Sequence, residues 1–541
     1  MSIKCGWGSC NLQLATNRVS LILTWILILF SYSLIESRDR SQSYILSPEQ
    51  TDRLKELRYE DELPLAKPNL ENLSLTIDPQ YHTYDEMVME LDSLMNLYPQ
   101  IAKMESLGVS TQEKRIIWGF KISDNVGLEE DEPRVLYVGV HHACEVIGLE
   151  ICMRLIKDLL SGYGIDPQIT EWVNNTEIWF IPNLNPDGHS AVTNGISLYW
   201  RKNGRDLNHN GILYEFLCNN WWTCSTEGVN LNRNYDFNWA SGGSGDPWHY
   251  DYRGETPFSE SENQAIRDLA LKEKFALSIS YHSYGEVVIY PWWWDGASAP
   301  DGPTLDVIAY NIASRILKED GEEYYNYEVN NALSGMSTNW FYGKLGTYDF
   351  TIEVLPYPLF IPPGSQIEGV YQKNKPGALY LLQRVFGPSI TGHITDSSTS
   401  LPLKATVKIL EITQYFQGEM EQRESDSLFG RYRWLLLPGN YTLEISETGY
   451  YSDTIPINVN SGLPIIKDVA LVKFYIGDVD LDRKIGLADV IFIANYLLKS
   501  GPTPAPIYLA DVDCDTKITL ADAIYLANYI LKGGSSPCSH P

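Results

Sequence analysis

Between about residues 81 and 386 the chain alternates short apolar runs with amphipathic stretches of helical spacing. The helical stretches include residues 148–161, 259–273 and 305–319, and the apolar runs have the length and composition of strands. The strand-like runs are, in chain order, IIWGFKI, RVLYVGV, EIWFIPNLN, FALSISYHS and GTYDFTIEV. Because strands that alternate with helices bury a sheet between helical layers, this region is predicted to be an α/β layered domain.

The length and charge of the chain narrow the classes of function. At 541 residues it is expected to hold several domains, and 44% hydrophobic residues are typical of ordinary globular protein. Its net charge of −28 would repel nucleic-acid phosphates and anionic membrane surfaces. We therefore expect no nucleic-acid partner, whereas the acidity suits a protein that binds divalent cations or works outside the cell.

The first 33 residues have the features of a secretory signal peptide. Lys4 and Arg18 precede the apolar run VSLILTWILILF, which is shorter than the roughly 20 residues needed to span a bilayer. Small residues predict cleavage after Ser33, with an uncleaved anchor as the alternative. No second apolar run of spanning length follows. We therefore expect a secreted or extracellular protein, with cell-surface attachment left open and no membrane span after signal removal.

Six cysteines remain after the predicted signal peptide. Export makes two local disulfides plausible, Cys218 with Cys224 and Cys514 with Cys538. The other two would lie about two helical turns apart, too far to bridge, and are interpreted as thiols: Cys144 and Cys152.

The texture of the sequence changes twice after the α/β region. Residues 388–473 contain short alternating stretches separated by Gly, Pro, Asn and Ser, which predict a small all-β sandwich. The remainder repeats itself with a period of 33 residues, from Asp478 to Asp511. The predicted segments are a signal peptide (1–33), a linker or pro-segment remnant (34–77), the α/β domain (78–387), the sandwich (388–473) and the repeat (474–541).

Two histidines and a glutamate stand at the ends of predicted strands. His142 and Glu145 follow directly on RVLYVGV, and His282 ends another apolar strand. Ligands of open α/β sheets collect at the carboxyl ends of strands, and two imidazoles with one carboxylate are a zinc set that leaves a fourth position for water. An isolated H-x-x-E pair is weak evidence, because its alternative reading is a surface or cap pair.

Six short motifs occur in an order that resembles the zinc metallocarboxypeptidase family, of the carboxypeptidase A type: HHACE, PNLNPDG, WRKN, NLNRN, SYHSYG and FTIE. The resemblance implies a mixed, twisted sheet flanked by helices and hydrolysis of the C-terminal bond of peptides with a free C-terminus. It also implies one catalytic zinc, a general base, an arginine for the oxyanion, a pair that binds the terminal carboxylate and a pocket floor. The residues implied are His142, Glu145 and His282 for zinc, Glu353 as base, Arg201 for the oxyanion, Asn232 and Arg233 for the carboxylate, and Thr338 for the pocket.

These roles are chemically reasonable without the resemblance. Zinc lowers the pKa of a bound water, and a carboxylate can take its proton and pass it to the leaving amine. An arginine stays protonated and offers a rigid fork of donors to an oxyanion or a planar carboxylate. Taken singly, Arg201 and Arg233 would be read as members of surface ion pairs.

Three positions depart from the family pattern. Cys144 stands where many members have an arginine, Asn331 stands at the place of a mobile tyrosine, and Asn230 replaces a usual aspartate. Tyr327 is a candidate substitute for the missing tyrosine. Thr338 is neither the acidic residue expected for basic substrates nor a large apolar one. The run of tryptophans at 292–294 favours an apolar or aromatic C-terminal substrate residue, although such a run is more often packing.

Residues 206–211, DLNHNG, have the D-x-N-x-N-G pattern of a calcium loop. The twelfth position, which usually supplies an acidic ligand, is Leu217. The sequence therefore favours a solvated turn over a structural calcium site.

The terminal repeat has calcium-loop spacing in both copies, and a helical stretch follows each loop. It resembles a type I dockerin, which implies two structural calcium ions and a cohesin partner, with a stabilising calcium tail as the alternative. Arg483 and Thr516 replace the usual glycine at position 6. The sandwich before it resembles a transthyretin-like domain. The expected calcium ligands are Asp478, Asp480, Asp482, Asp489, Asp511, Asp513, Asp515 and Asp522.

Together these patterns predict a secreted zinc carboxypeptidase that carries a sandwich and a calcium-dependent docking module. One alternative keeps the chemistry but acts on cell-wall peptides. Another is a catalytically degenerate binding protein, which the presence of the zinc, oxyanion and base residues argues against.

Overall fold

The computed structural model describes residues 77–538 except 212, 215–226, 295–296, 332–333 and 417. All of them belong to one compact unit, Asn69–Pro541. The predicted signal peptide, almost all of the predicted linker and the Cys218–Cys224 pair lie outside the described residues. None of the described helices has the length and apolar character needed to cross a membrane.

Among the described residues, nine strands form one mixed sheet: β1 (Ala102–Val109), β2 (Ile116–Ile122), β3 (Arg134–Val138), β4 (Glu177–Ile181), β5 (Leu277–Ser283), β6 (Val287–Trp294), β7 (Ala297–Ser298), β8 (Asn326–Asn331) and β9 (Tyr348–Val354). Their order is β1-β2-β4-β3-β5-β9-β6-β7, with β8 beside β6. The central strands β4, β3, β5 and β9 run parallel to one another, and β8 runs parallel to β6. The pairs β1–β2, β2–β4, β9–β6 and β6–β7 are antiparallel. The predicted mixed sheet is confirmed.

Helices flank this sheet, as predicted: α1 (Tyr84–Leu97), α2 (Ile147–Gly162), α3 (Pro167–Val173), α4 (Pro186–Thr193), α5 (Ser261–Glu273), α6 (Gly302–Ala313), α7 (Ser337–Trp340) and α8 (Ile367–Arg384). Their starts follow local sequence rules. Thr83 and Glu86 form a capping box at α1, and Asp166 caps α3, which has a proline in its first turn. Helix α2 is buried along most of its length because it packs between the sheet and α8.

A close approach of two glycines sets the turn after β3. A Cβ atom at Gly139 would lie 2.5 Å from the carbonyl oxygen of Pro182 and 2.9 Å from the backbone carbon of Gly148 in α2. Only glycine fits such a contact. The chain therefore leaves β3 directly against α2, and the segment between them is held over the carboxyl edge of the sheet.

Residues 389–471 form two further sheets with a common core. The strands are β10 (Ser389–Asp396), β11 (Thr406–Ile409), β12 (Arg423–Glu424), β13 (Arg431–Leu435), β14 (Gly439–Ser446), β15 (Asp453–Val459), β16 (Ile465–Ile466) and β17 (Val469–Leu471), with a short helix α9 (Leu410–Thr413) after β11. One sheet has the order β13-β10-β16 with β17 also on β10, and the other has the order β12-β11-β14-β15. Both contribute to one buried cluster that includes Ile394, Trp434 and Leu443. This part is an all-β sandwich; its likeness to a transthyretin-like domain stays a prediction.

A buried ion pair joins the sandwich to the α/β domain. Nη2 of Arg423 lies 2.6 Å from Oδ2 of Asp301, directly before α6. The guanidinium lies 3.8 Å from the centre of the Trp434 ring, and the indole nitrogen of Trp434 donates to the same aspartate at 3.2 Å. Two of the sandwich's residues thus satisfy one buried carboxylate of the α/β domain, which ties the two parts together.

The terminal repeat folds into two loop–helix units. Their helices, α10 (Leu487–Lys499) and α11 (Leu520–Lys532), pack against each other around Ile493 and Leu526. Cys514 and Cys538 form a disulfide, as predicted, and Cys144 and Cys152 are buried thiols, also as predicted.

The first loop of the repeat contacts the sandwich. Nη2 of Arg483 donates to the carbonyl of Ser452 at 2.7 Å and to Asp453 at 2.5 Å. The hydroxyl of Tyr451 donates to Asp478. Arg483 occupies the position where a glycine is usual and adopts a left-handed φ of +67°. The contacts of its side chain with the sandwich offset the cost of this backbone conformation.

A half-buried histidine that contacts both α1 and α2 makes the stability of the fold depend on pH. His82 Nδ1 lies 2.9 Å from Glu150, and Nε2 lies 2.6 Å from Glu90. Burial opposes its charge, but the hydrogen bonds to these carboxylates raise its pKa to about 9.

Because this pKa exceeds that of an unfolded histidine, the pairing stabilises the fold fully below about pH 6.5 and is lost as the pH rises through about 9. Urea unfolding of wild type and His82→Gln should therefore show a stability difference that is largest at pH 6 and shrinks toward pH 10. A difference that is constant or grows over this range would contradict the assignment.

Candidate active site

The three predicted zinc ligands come together at the carboxyl edge of the sheet. His142 and Glu145 lie in the turn between β3 and α2, and His282 lies near the end of β5. Their ligand atoms all fall within 4.8 Å of one another. Nδ1 of His142 is 2.8 Å from one Glu145 oxygen, Nδ1 of His282 is 2.7 Å from the other, and the two Nδ1 atoms are 3.1 Å apart.

This arrangement fits a zinc ion. Burial and the positive charge of Arg201 lower the pKa of His142 to about 3, so its imidazole is neutral at pH 7, as a metal ligand must be. Burial alone would raise the pKa of Glu145, but its interactions with the two histidines hold that pKa below its usual range. Two imidazoles and one carboxylate whose ligand atoms converge are a zinc set that leaves one position for water.

Outer hydrogen bonds fix both imidazoles. Nε2 of His142 lies 3.1 Å from Oδ1 of Asn230, so the amide oxygen accepts the proton on that nitrogen. Nε2 of His282 lies 3.1 Å from Oγ of Ser280. Such partners set the tautomer and ring orientation of metal-binding histidines.

His141 was not selected from the sequence, but it contacts the same Ser280 hydroxyl as His282. Its Nδ1 is 2.8 Å from Oγ of Ser280, and its Nε2 is 2.7 Å from the hydroxyl of Tyr235. Burial and the neighbouring histidines lower its pKa well below the usual value. A neutral, fully buried His141 thus supports His282 through one serine.

Strand pairing brings Glu353 beside the candidate zinc site. β5 and β9 pair in parallel with His282 opposite Glu353, so both side chains lie on the same face of the sheet. Nη1 of Arg201 lies 3.1 Å from one oxygen of Glu145. The backbone carbonyl of Arg201 also accepts from the Ala143 N–H at 3.0 Å, which ties the arginine to the metal-binding turn.

Asn232 and Arg233 lie in the short helix Leu231–Arg233, and both are buried. Oδ1 of Asn232 accepts from the Ser337 N–H at 3.0 Å, and its Nδ2 is 3.4 Å from Nε2 of His282. Nη1 of Arg233 donates to the carbonyl of Asn232 at 3.0 Å. Asn232 therefore lies next to His282, one of the candidate zinc ligands, and contacts Ser337, which directly precedes Thr338.

Asp251 links this pair to the zinc site, and the sequence analysis did not select it. It lies 3.3 Å from Nη2 of Arg233 and accepts from Nδ2 of Asn230 at 2.8 Å. Burial would raise its pKa, but the charges of Arg233 and Arg201 lower it. Asn230 thus contacts His142 with its oxygen and Asp251 with its nitrogen, and Asp251 supplies the carboxylate that the family pattern would place at position 230.

The predicted pocket residue Thr338 is fully buried at the start of α7. Its hydroxyl lies 2.9 Å from that of Thr351, two residues before Glu353 on β9. Trp292 packs between Phe237 and Tyr342 in the core. The side chains of residues 293, 294 and 331 lie outside the description, and Tyr327 is exposed against Tyr310.

Tyr284 is a second tyrosine near the site. Its ring contacts Tyr357 and Phe360. Burial, the neighbouring Tyr357 and the negative charge of Glu353 raise its pKa to about 12. Tyr284 follows His282 by two residues and belongs to the same sequence motif, SYHSYG.

Three of the four predicted ligands converge in each calcium loop. The carboxylates of Asp478, Asp480 and Asp489 lie within 4.8 Å of one another, as do those of Asp511, Asp513 and Asp522. The aspartates at position 5 instead cap backbone N–H groups two residues on, Asp482 at Lys484 and Asp515 at Lys517, each at 2.8 Å. The three carboxylates in each loop are the hard oxygen donors that suit calcium.

Comparison with known proteins agrees with this geometry. Residues 87–377, more than half of the chain, match the family described as zinc carboxypeptidase. The chain belongs to the zinc carboxypeptidase family. Residues 476–531 match the dockerin type I domain. Members of these two families use a catalytic zinc and bind calcium, respectively.

Individual relatives are distant. Human carboxypeptidase D is 27% identical over 426 residues, which cover 73% of this chain and 27% of the relative. Carboxypeptidase B of Astacus astacus is 29% identical over 307 residues, 54% of this chain and 94% of the relative. The solved carboxypeptidase A of Helicoverpa armigera has a TM-score of 0.48 at 24% identity, over 62% of this chain and 80% of that one. The chain thus spans about a quarter of the length of human carboxypeptidase D.

Zinc content tests the ligand assignment. His282→Ala removes a ligand and should weaken zinc binding at least about 100-fold, whereas Asn230→Ala removes an outer hydrogen bond and should weaken it about 10-fold. His393→Gln, a change in the sandwich, serves as the matched control and should leave zinc binding unchanged. Competition with a zinc chelator measures all three, and equal affinity in His282→Ala and wild type would exclude this site.

Proposed function

We propose that the protein is a secreted zinc metallocarboxypeptidase that hydrolyses the C-terminal peptide bond of peptides or proteins. The observation that carries the proposal is the pairing of His282 with Glu353 on adjacent parallel strands, which sets a carboxylate beside the candidate zinc ligands. Family membership supports the same reaction.

The chain's own residues supply most of the proposed chemistry. Zinc held by His142, Glu145 and His282 would polarise a substrate carbonyl and lower the pKa of a bound water. Glu353 accepts a proton as general base and returns it to the leaving amine. Arg201, held against the metal-binding turn, stabilises negative charge on the carbonyl oxygen with its guanidinium donors.

Recognition of a free chain end rests on Asn232 and Arg233. An arginine binds a planar carboxylate through two parallel hydrogen bonds, which requires a terminal carboxylate on the substrate. Asp251 orients the guanidinium of Arg233 and is itself held by Asn230. Asn230 also contacts the zinc ligand His142. The residues proposed to bind the substrate carboxylate and the residues proposed to bind zinc are therefore joined through Asp251 and Asn230.

The pocket is proposed to favour a C-terminal residue without charge. Thr338 and Thr351 direct their hydroxyls at each other, so this pair offers no charge to a basic side chain. An apolar or aromatic residue remains the expected preference.

The terminal module is proposed to attach the enzyme to a cohesin-type partner outside the cell or at its surface. Dockerin domains generally bind cohesins. In this chain α10 and α11 expose apolar residues at matching positions of the two copies, Leu487 with Leu520 and Ile491 with Ile524. Two structural calcium ions in the loops would hold these helices in place.

Matched peptides with free and amidated C-termini test the activity. We expect stepwise loss of C-terminal residues from the free-ended peptides alone, and no reaction after zinc removal. Mass spectrometry follows the products. No cleavage of either peptide by zinc-loaded protein would contradict the proposal, and cleavage of peptidoglycan fragments alone would assign the enzyme to cell-wall peptides.

Glu353→Gln keeps the shape of the base but cannot accept its proton. It should retain wild-type zinc content and lose at least about 100-fold in kcat. Unchanged kcat would exclude Glu353 as the base.

Asp251→Asn should raise KM by about 10-fold with a smaller change in kcat, because a misplaced Arg233 weakens binding of the terminal carboxylate. The matched control is Asp246→Asn, an exposed carboxylate of the same loop, which should leave KM unchanged. An effect on kcat alone would contradict a role in substrate binding.

A further inference from the structure

The loop at residues 206–211 lacks an acidic residue at position 12 of its calcium-loop pattern, but an acidic residue from further along the chain lies beside it. Position 12 of the D-x-N-x-N-G pattern, Leu217, lies outside the described residues. Glu227 takes its place in space. The Leu207 N–H donates to one oxygen of Glu227 at 2.5 Å, and the side-chain amide of Asn208 donates to the other.

The hydrogen bonds of this loop match those of the two loops in the terminal repeat. In each loop the N–H at position 6 donates to the carboxylate at position 1: Gly211 to Asp206 at 3.0 Å, Arg483 to Asp478 at 2.8 Å and Thr516 to Asp511 at 3.0 Å. The N–H at position 5 donates to the side-chain oxygen at position 3: Asn210 to Asn208 at 2.9 Å, Asp482 to Asp480 at 3.2 Å and Asp515 to Asp513 at 3.2 Å.

The contact to the last ligand completes the match. In the repeat, the N–H at position 2 donates to the carboxylate at position 12: Val479 to Asp489 at 2.8 Å and Val512 to Asp522 at 3.0 Å. Leu207 makes the same bond to Glu227. A glutamate 21 residues after Asp206 in the sequence thus stands where the repeat has its twelfth residue.

Backbone angles agree at the two left-handed positions. At position 4, φ is +58° for His209, +60° for Leu481 and +58° for Cys514. At position 6, φ is +77° for Gly211, +67° for Arg483 and +70° for Thr516. Three segments of different sequence therefore follow one path.

An independent observation at Asp206 points to a ligand. The residue is only 9% exposed, and its Oδ1 is buried without a hydrogen-bond partner among the described residues. A buried carboxylate oxygen without a partner loses its bonds to water and gains none in exchange, which is unfavourable. A bound cation would satisfy this oxygen.

We propose that Asp206, Asn208, Asn210 and Glu227 form a third calcium site, in the α/β domain and separate from the zinc site. The donors are two carboxylates and two side-chain amides, which are hard oxygen ligands suited to calcium. Asp206 and Glu227 are buried, whereas Asn208 and Asn210 are exposed, so water can complete the coordination from the open side.

The site would brace the part of the chain that carries Arg201 and Arg233. The ends of the segment between them are already joined: Gly228 N–H donates to the Arg205 carbonyl at 2.8 Å, and Asn203 N–H donates to the Val229 carbonyl at 3.0 Å. An ion held by Asp206 and Glu227 adds a further link across the same segment. Calcium is therefore expected to stabilise the arrangement of the two arginines.

Calcium stoichiometry tests the site in the full chain. Wild type should bind three calcium ions by equilibrium dialysis, and a variant with both repeat loops disabled, Asp478→Asn/Asp489→Asn/Asp511→Asn/Asp522→Asn, should keep one. Adding Glu227→Gln to that variant should remove the last ion while zinc content stays at one. Asp268→Asn, an exposed carboxylate on α5, makes the same charge change and should keep the ion.

Two results would overturn the site: no calcium in the variant with disabled repeat loops, or one calcium still bound after Glu227→Gln. Where Glu227→Gln does not fold, Asn208→Ala leaves both carboxylates in place and should weaken the remaining calcium about 10-fold or more. Unchanged affinity in Asn208→Ala would also overturn the site.

A kinetic readout follows from the brace. Removing calcium from the zinc-loaded variant with disabled repeat loops should raise KM for a free-ended peptide several-fold. This readout rests on the proposed peptidase activity, whereas the calcium count does not, so the two proposals can fail separately.

Discussion

The parallel pairing of β3, β5 and β9 is the constraint on which the active site depends. It brings the carboxyl ends of the three strands to one edge of the sheet, where β3 leads into the metal-binding turn and β5 carries His282 opposite Glu353. A slip of β9 by one residue would turn Glu353 to the other face. The close contact of Gly139 with Gly148 then holds the turn from β3 to α2 over that edge. The chemistry of the site is therefore a consequence of strand register.

Around this edge, the carboxylates of Glu145 and Asp251 each lie beside an arginine. Glu145 lies between two histidines and Arg201, and Asp251 lies beside Arg233. Asn230 stands between the two groups and contacts each through one end of its amide. Because an amide is neutral, it joins the groups without placing a second negative charge between His142 and Asp251. The replacement of the family's aspartate is thus compensated by an aspartate from another loop.

The sequence predicts features that depend on local residue patterns or on motifs in a fixed order along the chain. The alternation of strands and helices, the strand-end histidines and the loops of the repeat follow from patterns within a few residues, whereas the mixed sheet and the role of Glu353 were expected from the resemblance of the ordered motifs to a known family. Asp251 and His141 were missed because their roles depend on contacts across the fold, and nothing beside them in the sequence marks those contacts. The same limit explains the loop at Asp206. Counting to position 12 along the chain ends at Leu217, whereas Glu227 reaches the position through space. Likewise, spacing alone did not reveal that Asp482 and Asp515 cap backbone N–H groups.

The contacts of Arg483 and Tyr451 join the first loop of the repeat to the sandwich, and they determine how a pulling force on the repeat would be transmitted to the rest of the molecule. Only a few residues separate the end of β17 from the first loop, and that loop is also fastened to the sandwich through Asp453 and Asp478. The second loop is fastened to the chain's end by the Cys514–Cys538 disulfide. Tension applied at α10 and α11 would therefore be shared by several side-chain contacts and the peptide link. A partner bound to the repeat would therefore also restrict the orientation of the sandwich, to which the first loop is joined by these contacts.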